Sequence, residues 1–348
     1  MQVNIFDMKR YFIIFFAITA LLLASCNTKV NLYSDEGDST IVYAMLDAGA
    51  DTNFFKITKS FVGNANELAQ NYEANNYKYD EIEVKLTGVF DGSSSSQTVQ
   101  LDTVSRWIPY NENSTFYSGR MQTYYYTTEK LKEGEEYKLE ILRKADNVTI
   151  SSKATTINSF DFQKPMQSIA IIFTDVTNST ANVEWRVSSS PFKSTAAYFD
   201  VTGYFHYSEL MPGALDTVRR TLQWHMGSGE ADRLYNTSSN LPYYVISYTP
   251  STIFNLLKDD KHLSNNSPAG VQRWFEAFEF NISAIGEELY TYYLITNSTS
   301  AIQDTPNYTN VDNGIGIMSS RVTKTRRVNI SEQTRGKIKE KFEQYGFN

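Results

Sequence analysis

Cysteine is almost absent from this sequence, since Cys26 is the only one among 348 residues. A disulfide needs two thiols, so a bridge within the chain is excluded and the fold must be held together by its core. An excess of positive charge is lacking too, because the formal net charge is -7 at pH 7. A phosphate-binding surface for nucleic acid is therefore not expected. Beyond residue 26, no apolar run is long enough to span a bilayer.

The motifs of common catalytic sites are missing as well. The three histidines, His206, His225 and His262, are far apart in sequence, and the HEXXH zinc motif does not occur. Gly227-Ser228-Gly229 is interpreted as a short turn rather than a phosphate loop, and no nucleophile elbow is present. The adjacent carboxylates of Glu287-Glu288 diverge on a predicted helix. The sequence therefore predicts no catalytic residue, no metal ion and no cofactor.

Two weaker arrangements stay open. His206 and His225 would face each other if they lie on neighbouring strands, with an acidic residue nearby, although a histidine satisfied by local contacts is more common than a metal ligand. The oxygen-bearing residues between Asn310 and Asn313 could ligate calcium, but the bidentate glutamate of a complete calcium loop is missing. Turn formation is the favoured interpretation of that segment.

The one long apolar stretch lies near the N terminus. Lys9 and Arg10 precede an apolar run from Tyr11 to Leu23, which is followed by Ala24-Ser25-Cys26. A basic end, an apolar core and a small-residue cleavage site before cysteine are typical of a bacterial lipoprotein signal peptide. We therefore expect residues 1–25 to be removed and Cys26 to become the lipid attachment site. The polar residues 26–38 would form a flexible tether.

The rest of the chain is predicted to be mainly β. The sequence contains 24 Tyr and 21 Phe, while only 20% of its residues are charged, a composition that favours strands and turns. Between residues 81 and 89, apolar and charged residues alternate, so one face of that strand turns inward. Similar β-rich runs recur with turn signals between them, which is typical of an antiparallel sandwich.

Two β-rich domains are expected after the tether. The segment 159–166, which contains Pro165, is the predicted boundary, so residues 39–158 would form the antiparallel sandwich and residues 159–348 a second β-rich domain. Capping and periodicity signals predict a few short helices in the second domain, near 251–260, 284–297 and 331–345, the last of them C-terminal. Ser251 and Ser331 are the expected N-caps, and Gly346 the expected stop of the last helix.

Aromatic residues provide the main candidate for a binding surface. The candidates share a predicted loop and its flanking strands: Trp107, Tyr110, Tyr124, Tyr125 and Tyr126. Because consecutive side chains of a strand point to opposite faces, at least one tyrosine of the triple must point outward. An exposed aromatic shelf would stack on a sugar ring or pack against a partner protein. The other interpretation is cross-strand aromatic pairing on a half-buried sheet.

The stretch 306–317, PNYTNVDNGIGI, resembles the C-terminal motif of a widespread family of Bacteroidota outer-membrane lipoproteins of unknown function. Its matching residues are Tyr308, Asn310, Asn313, Gly314 and Gly316. Asn313-Gly314 is suited to a tight turn with positive φ, and Gly316 leaves space for a neighbouring backbone. The segments 41–46 and 137–141 resemble the N-terminal immunoglobulin-like module of the same family, and 282–293 resembles its helix before the motif.

The resemblance implies an immunoglobulin-like N-terminal sandwich and a lipoprotein that is often associated with TonB-dependent nutrient receptors. We therefore expect a non-enzymatic accessory or ligand-capture protein that acts with such a transporter. Cys26 would anchor it in outer-membrane lipid, on the cell surface or on the periplasmic face. The alternative is a surface adhesin or glycan-binding module that uses the exposed aromatics. Either a glycan or a peptide would be the ligand.

Overall fold

A computed structural model describes residues 39–60, 81–108, 120–297 and 308–348. Strands account for most of the regular structure in these ranges. In chain order they are β1 (Thr40–Leu46), β2 (Asn53–Lys59), β3 (Ile82–Gly88), β4 (Gln97–Gln100), β5 (Asp102–Ile108), β6 (Arg120–Thr127), β7 (Glu136–Arg143), β8 (Val148–Thr155), β9 (Phe160–Lys164), β10 (Ala181–Val187), β11 (Tyr198–Leu210), β12 (Val218–Glu230), β13 (Tyr235–Asn236), β14 (Tyr243–Tyr248), β15 (Gln272–Ile285), β16 (Val311–Asp312) and β17 (Gly314–Val328). The predicted mainly β fold class is confirmed.

The strands are arranged in three sheets. The largest has eight strands in the order β12-β11-β15-β17-β1-β2-β6-β5, and the others are β16-β8-β7-β3-β4 and β13-β14-β10-β9. Nearly all neighbours are antiparallel, but β1 pairs with β17 in parallel, from Thr40 opposite Gly314 to Leu46 opposite Ser320. This pair joins strands from before and after the predicted boundary at 159–166 into one continuous sheet.

Two hydrophobic cores lie along this large sheet. The first takes its residues from positions 42–154, together with Val311 and Met318 near the other end of the chain. The second starts at Ile157 and includes the buried rings of Trp185, Phe199 and Phe278. β17 contributes to both cores, because Met318 belongs to the first and Val322 to the second.

The first core is closed by the five-stranded sheet, in which alternation decides what is buried. Along β7, Tyr137, Leu139 and Ile141 are fully buried. The Tyr137 hydroxyl accepts a hydrogen bond from Lys132 N at 2.7 Å and donates one to Val89 O. A buried tyrosine at the start of a strand, bonded to backbone a few residues upstream, is a feature of immunoglobulin-type sandwiches.

Helices occupy the three regions with capping and periodicity signals, and two very short helices add to them. They are α1 (Ala231–Leu234), α2 (Thr252–Asp259), α3 (Lys261–Asn265), α4 (Glu287–Asn297) and α5 (Glu332–Phe342), followed by a 3-10 turn at Glu343–Tyr345. Ser331 caps α5 as predicted, since its hydroxyl accepts from Thr334 N, and Gly346 ends the 3-10 turn in the left-handed region at φ 74°. Ser251 makes no side-chain cap, because it adopts a right-handed helical conformation itself.

Gly227-Ser228-Gly229 was predicted as a turn, and this prediction is wrong. The three residues continue β12, and the register of β12 against β11 shifts at this point. Gly227 adopts φ 153°, and a Cβ at this position would lie 2.9 Å from Ile246 Cγ2 on β14. A glycine is therefore needed here for a bulge and a close approach of two sheets, not for a chain reversal.

Candidate functional site

Aromatic side chains project from the outer face of the large sheet, opposite the first core. Along β1 the residues Val42, Ala44 and Leu46 are buried, so Tyr43 between them points outward and is 53% exposed. On β2, Phe55 is fully buried, and its neighbour Phe54 points outward.

The tyrosine triple of β6 extends this arrangement. Tyr126 pairs with Phe54 and Tyr125 with Phe55, so Tyr124 and Tyr126 lie on the outer face while Tyr125 packs against the first core. Burial raises the pKa of Tyr125 above its ordinary value. Two of the three tyrosines thus point outward, as strand alternation requires of at least one.

The rings border a groove of about 330 Å³, which we call the aromatic groove. Its residues are Tyr43, Ala44, Met45, Asp47, Ala50, Thr52, Asn53, Phe54, Lys56 and Tyr124. The Phe54 ring meets Tyr124 edge-on at a centroid distance of 6.4 Å and lies 6.1 Å from the Tyr126 ring. The Arg106 guanidinium stacks on Phe54, 4.1 Å from the ring centroid, which is a cation–π contact.

The β1–β2 hairpin loop gives one end of the groove a fixed shape. The buried Asn53 side chain accepts from Asp47 N at 2.8 Å and donates to Asp47 O at 3.1 Å. The Asp47 carboxylate in turn accepts from Gly49 N at 2.8 Å. These bonds hold the loop from within, so little conformational entropy would be lost there when a ligand binds.

Trp107, also predicted for this surface, lies on the other side of the sheet. It pairs with Met121, which shares a face with Tyr125 and not with Tyr124. Trp107 is 60% exposed and Met121 44% exposed, so this pair forms a separate apolar patch at the sheet edge. Tyr110 and Cys26 lie outside the described residues.

Two aromatic residues of the groove, Tyr43 and Phe54, were not predicted from the sequence, and neither was Arg106, which stacks on Phe54. The signal for Phe54 was present, because the consecutive rings of Phe54 and Phe55 must point to opposite faces. Tyr43 stands at an outward position between small or aliphatic inward residues. Arg106 gave no signal, since its contact with Phe54 depends on β6 standing between β5 and β2.

The residues of the C-terminal motif form a joint between two sheets. The Asn310 side chain bonds to the backbone of β17 as a neighbouring strand would. Its amide oxygen accepts from Met318 N at 3.0 Å, and its amide nitrogen donates to Met318 O at 2.7 Å. The same amide donates to Lys153 O on β8 at 3.0 Å. Asn313 turns the chain with φ 55° and donates to Thr149 O at 2.9 Å. The Asn310 side-chain oxygen is thus already engaged by the backbone, which supports the turn interpretation over calcium binding.

The glycines of the motif are required by close backbone contacts. A Cβ on Gly316, which adopts φ 117°, would lie 2.0 Å from Val42 O, and one on Gly314 would lie 2.8 Å from Thr40 O. Tyr308 is half-buried, and burial raises the pKa of its hydroxyl. The motif therefore sets the crossing of β16 and β17 between the two sheets.

The histidines have separate partners. His206 lies opposite Thr221 and His225 opposite Thr202, so the two rings are not cross-strand neighbours. His225 Nε2 lies 2.8 Å from the Asp200 carboxylate, and His262 Nε2 lies 2.9 Å from that of Glu209. Within the described ranges, no three His, Cys, Asp or Glu residues are grouped as a metal site would need.

Among the helices in the described part of the chain, none is long and apolar enough to cross a membrane.

No protein-family model matches the chain, and no curated protein matches it. Among solved structures, the chain is similar to the C-terminal globular domain of an oligosaccharyltransferase from Pyrococcus abyssi, with 8% identity and a TM-score of 0.27. The match covers 86% of this chain and 52% of that chain, so this chain spans about half the length of the structure. A similarity this low transfers no activity. The resemblance to Bacteroidota lipoproteins stays a prediction.

Proposed function

We propose that this chain is a lipid-anchored, non-enzymatic ligand-capture protein of the outer membrane that acts with a TonB-dependent nutrient transporter. The aromatic groove would be its contact with the ligand or with the transporter. The observation that carries the proposal is the set of outward rings, Tyr43, Phe54 and Tyr124, around one preformed groove.

Exposed rings of this kind favour binding. Burying an aromatic ring against a partner removes a large apolar area from water, and the ring face also accepts the C–H face of a sugar or an aliphatic side chain. Tyr43 leaves 53% of its surface exposed in the described structure, while Phe54 and Tyr124 are half-buried beside it. An exposed ring next to half-buried rings around a groove is more typical of an interaction site than of a solvated surface.

The proposed location of the protein at the outer membrane rests on the sequence. The basic, apolar and small-residue segments before Cys26 support lipidation, and the polar residues 26–38 would give the domain a tether of up to roughly 40 Å when extended. The proposed partnership with a TonB-dependent transporter rests on the family resemblance. The lipid anchor can be tested without reference to the groove, whereas the transporter contact is tested through the groove residues.

Copurification from detergent-solubilised membranes tests the transporter. We expect the tagged wild-type chain to recover a TonB-dependent receptor, and the double variant Tyr43→Thr/Tyr124→Thr to recover at least about fivefold less, because ring contacts at an interface centre are often worth more than about 1 kcal/mol each. Threonine keeps the strand propensity of both positions. Trp107→Thr, on the other face, is the matched control. Recovery of the wild-type chain alone would contradict the partnership.

A surface adhesin or glycan-binding module is the second candidate, and the exposed ring of Tyr43 at the groove favours it, because the C–H face of a sugar packs on an accessible aromatic ring. In this case a glycan array would show binding by the wild-type chain, with the signal lost in Tyr43→Thr/Tyr124→Thr and kept in Trp107→Thr. Absence of binding above background would reject this candidate and leave the transporter hypothesis untouched.

A further inference from the structure

A second cavity, of about 380 Å³ and open to solvent, lies between the large sheet and the four-stranded sheet, and it shares no lining residue with the aromatic groove. Its lining residues are Thr180, Trp224, Met226, Ser247, Tyr248, Thr249 and Thr252. We call it the hydroxyl-lined cavity. Its volume is within the range of roughly 300 to 1,000 Å³ that is usual for small-molecule sites.

Two aromatic rings, those of Trp224 and Tyr248, form the floor of this cavity, and residues of the second core hold them in place. Trp224 and Tyr248 are 6% and 8% exposed, and their rings meet edge-on at a centroid distance of 5.5 Å. Trp224 also contacts Phe173 and Phe278 in the second core, with centroid distances of 6.1 and 6.3 Å. The floor is therefore preformed, so a ligand would not need to order it.

The polar groups of the cavity have few protein partners. The Tyr248 hydroxyl, the Trp224 indole N–H and the hydroxyls of Thr249 and Thr252 form no side-chain hydrogen bond within the described part of the chain, whereas Ser247 donates to Asn182. Neither the Tyr248 oxygen nor the Trp224 nitrogen is sealed from solvent. Both residues are more than nine-tenths buried and line the cavity, so these two polar atoms, unpartnered among the described residues, are the groups that a ligand there would meet.

The chemistry of the lining selects the kind of ligand. No lining residue is an acid or a base, apart from the weakly acidic Tyr248, and burial raises the pKa of this tyrosine to about 12, so its hydroxyl stays a hydrogen-bond donor at neutral pH. A charged ligand would find no counter-ion among the lining residues and would lose hydration. Aromatic rings and hydroxyl groups that line the same site suit a molecule that combines C–H surface with several hydroxyl groups.

We infer that the hydroxyl-lined cavity binds a small neutral ligand that carries hydroxyl groups on a compact ring, of the size of a monosaccharide. The inference does not depend on the aromatic groove or on the transporter. It assigns a second, independent contact surface to the half of the fold that follows the predicted boundary.

The test uses the full-length chain in detergent and a panel of glucose, galactose, mannose and N-acetylglucosamine, with binding measured by saturation-transfer NMR and calorimetry. We expect at least one sugar to bind. Tyr248→Phe and Thr252→Val should each weaken its binding by about three- to tenfold, the usual worth of one hydrogen bond. Neither hydroxyl has a partner in the described protein, so both variants should fold normally, as near-UV circular dichroism would check.

Tyr43→Phe in the aromatic groove is the matched control and should bind the sugar like the wild type. Absence of binding by every sugar of the panel would overturn the inference, as would wild-type affinity in both cavity variants. Tighter binding of glucuronate or glucosamine than of glucose would overturn the neutral ligand class. Loss of transporter or glycan-array binding in the groove variants would leave this site unaffected, so the two proposals can fail separately.

Discussion

Glu209 and Arg273 face each other directly across β11 and β15, and their side chains are 1% and 0% exposed. Arg273 Nε and Nη2 donate to one carboxylate oxygen of Glu209 at 2.8 and 2.5 Å. Arg273 also donates to Ser267 Oγ and to the backbone carbonyls of Asn266 and Tyr345. This buried pair therefore ties the residues after α3 and the C-terminal segment to the end of β11 and the start of β15.

Removing one member of this pair should destabilise the fold strongly. Arg273→Met leaves the Glu209 carboxylate buried without its main partner, and we expect the free energy of unfolding to fall by about 3 to 5 kcal/mol. Urea unfolding measures the loss. Lys153→Met is the control, because Lys153 and Glu136 form an exposed pair with side chains 57% and 58% exposed, and its loss should be below about 1 kcal/mol. Similar losses in both variants would contradict this assignment.

Glu288 should destabilise the folded state at neutral pH. Burial raises the pKa of its carboxyl, and this effect outweighs hydrogen bonds such as that from Ser319 Oγ at 2.9 Å. As the pH falls through the raised pKa, the folded state takes up a proton before the unfolded state does, so the wild type gains stability. Glu288→Gln should therefore unfold at higher urea than the wild type at about pH 7, and the difference should shrink towards about pH 4.5.

The pH dependence of Glu209 has the opposite sign and serves as the comparison. Burial alone would raise the pKa of Glu209, but hydrogen bonds from His262, Arg273 and Arg220 outweigh it and hold the pKa below its ordinary value. The Glu209 carboxylate therefore stabilises the fold at pH values above the pKa of glutamate in the unfolded chain. This stabilisation is lost as the pH falls through the lowered pKa of Glu209 in the folded state. If Glu209→Gln and Glu288→Gln gave parallel pH profiles, the two directions assigned here would be wrong.

Gly316→Ala should disrupt the joint between the two sheets. The new methyl group would overlap Val42 O, and the positive φ of 117° is unfavourable for alanine, so we expect a loss of more than about 3 kcal/mol or no folded protein. Gly336→Ala is the control, because nothing lies within 4 Å of its added Cβ in α5. That change should raise stability by up to about 1 kcal/mol. Thermal unfolding of the pair distinguishes the two outcomes.

Cys26→Ser tests the anchor. Without a thiol the chain cannot receive the lipid, so we expect it to move from the membrane fraction to the released fraction, with its β-rich circular dichroism spectrum unchanged. Ser25→Ala, beside it, keeps a small residue at the cleavage site and should stay membrane-bound. A Cys26→Ser protein that still sediments with membranes would refute lipid anchoring at this residue.

Local features of the fold were predictable from the sequence, because they depend on neighbouring residues. Alternation placed Tyr137, Leu139 and Ile141 on one face of β7, and Asn313 provides the positive φ expected of an Asn-Gly turn. The hydroxyl of Ser331 caps α5 as its position before the helix indicates. In each case the local conformation, namely the alternation of a strand, a positive φ or a helix cap, is decided by neighbouring residues, although Tyr137 and Asn313 also bond to distant backbone.

Features that depend on long-range pairing could not be predicted. The parallel pairing of β1 with β17 joins segments about 270 residues apart, as the bond from Ser320 Oγ to Leu46 O shows. Trp107 and Tyr124 belong to opposite faces only because of the register between β5 and β6. The hydroxyl-lined cavity brings Trp224 and Tyr248 together from two different sheets, and nothing in either local sequence indicates the other.

The β1–β17 pairing also sets the order in which the fold can be completed. As a chain emerges from the ribosome N terminus first, β1 is released early, while the strand that covers one of its edges is among the last. Val311 and Met318, which complete the first core, arrive equally late. β1 therefore keeps an open strand edge until nearly the whole chain is available, so we expect the unfinished N-terminal half to be prone to aggregation unless a chaperone covers it.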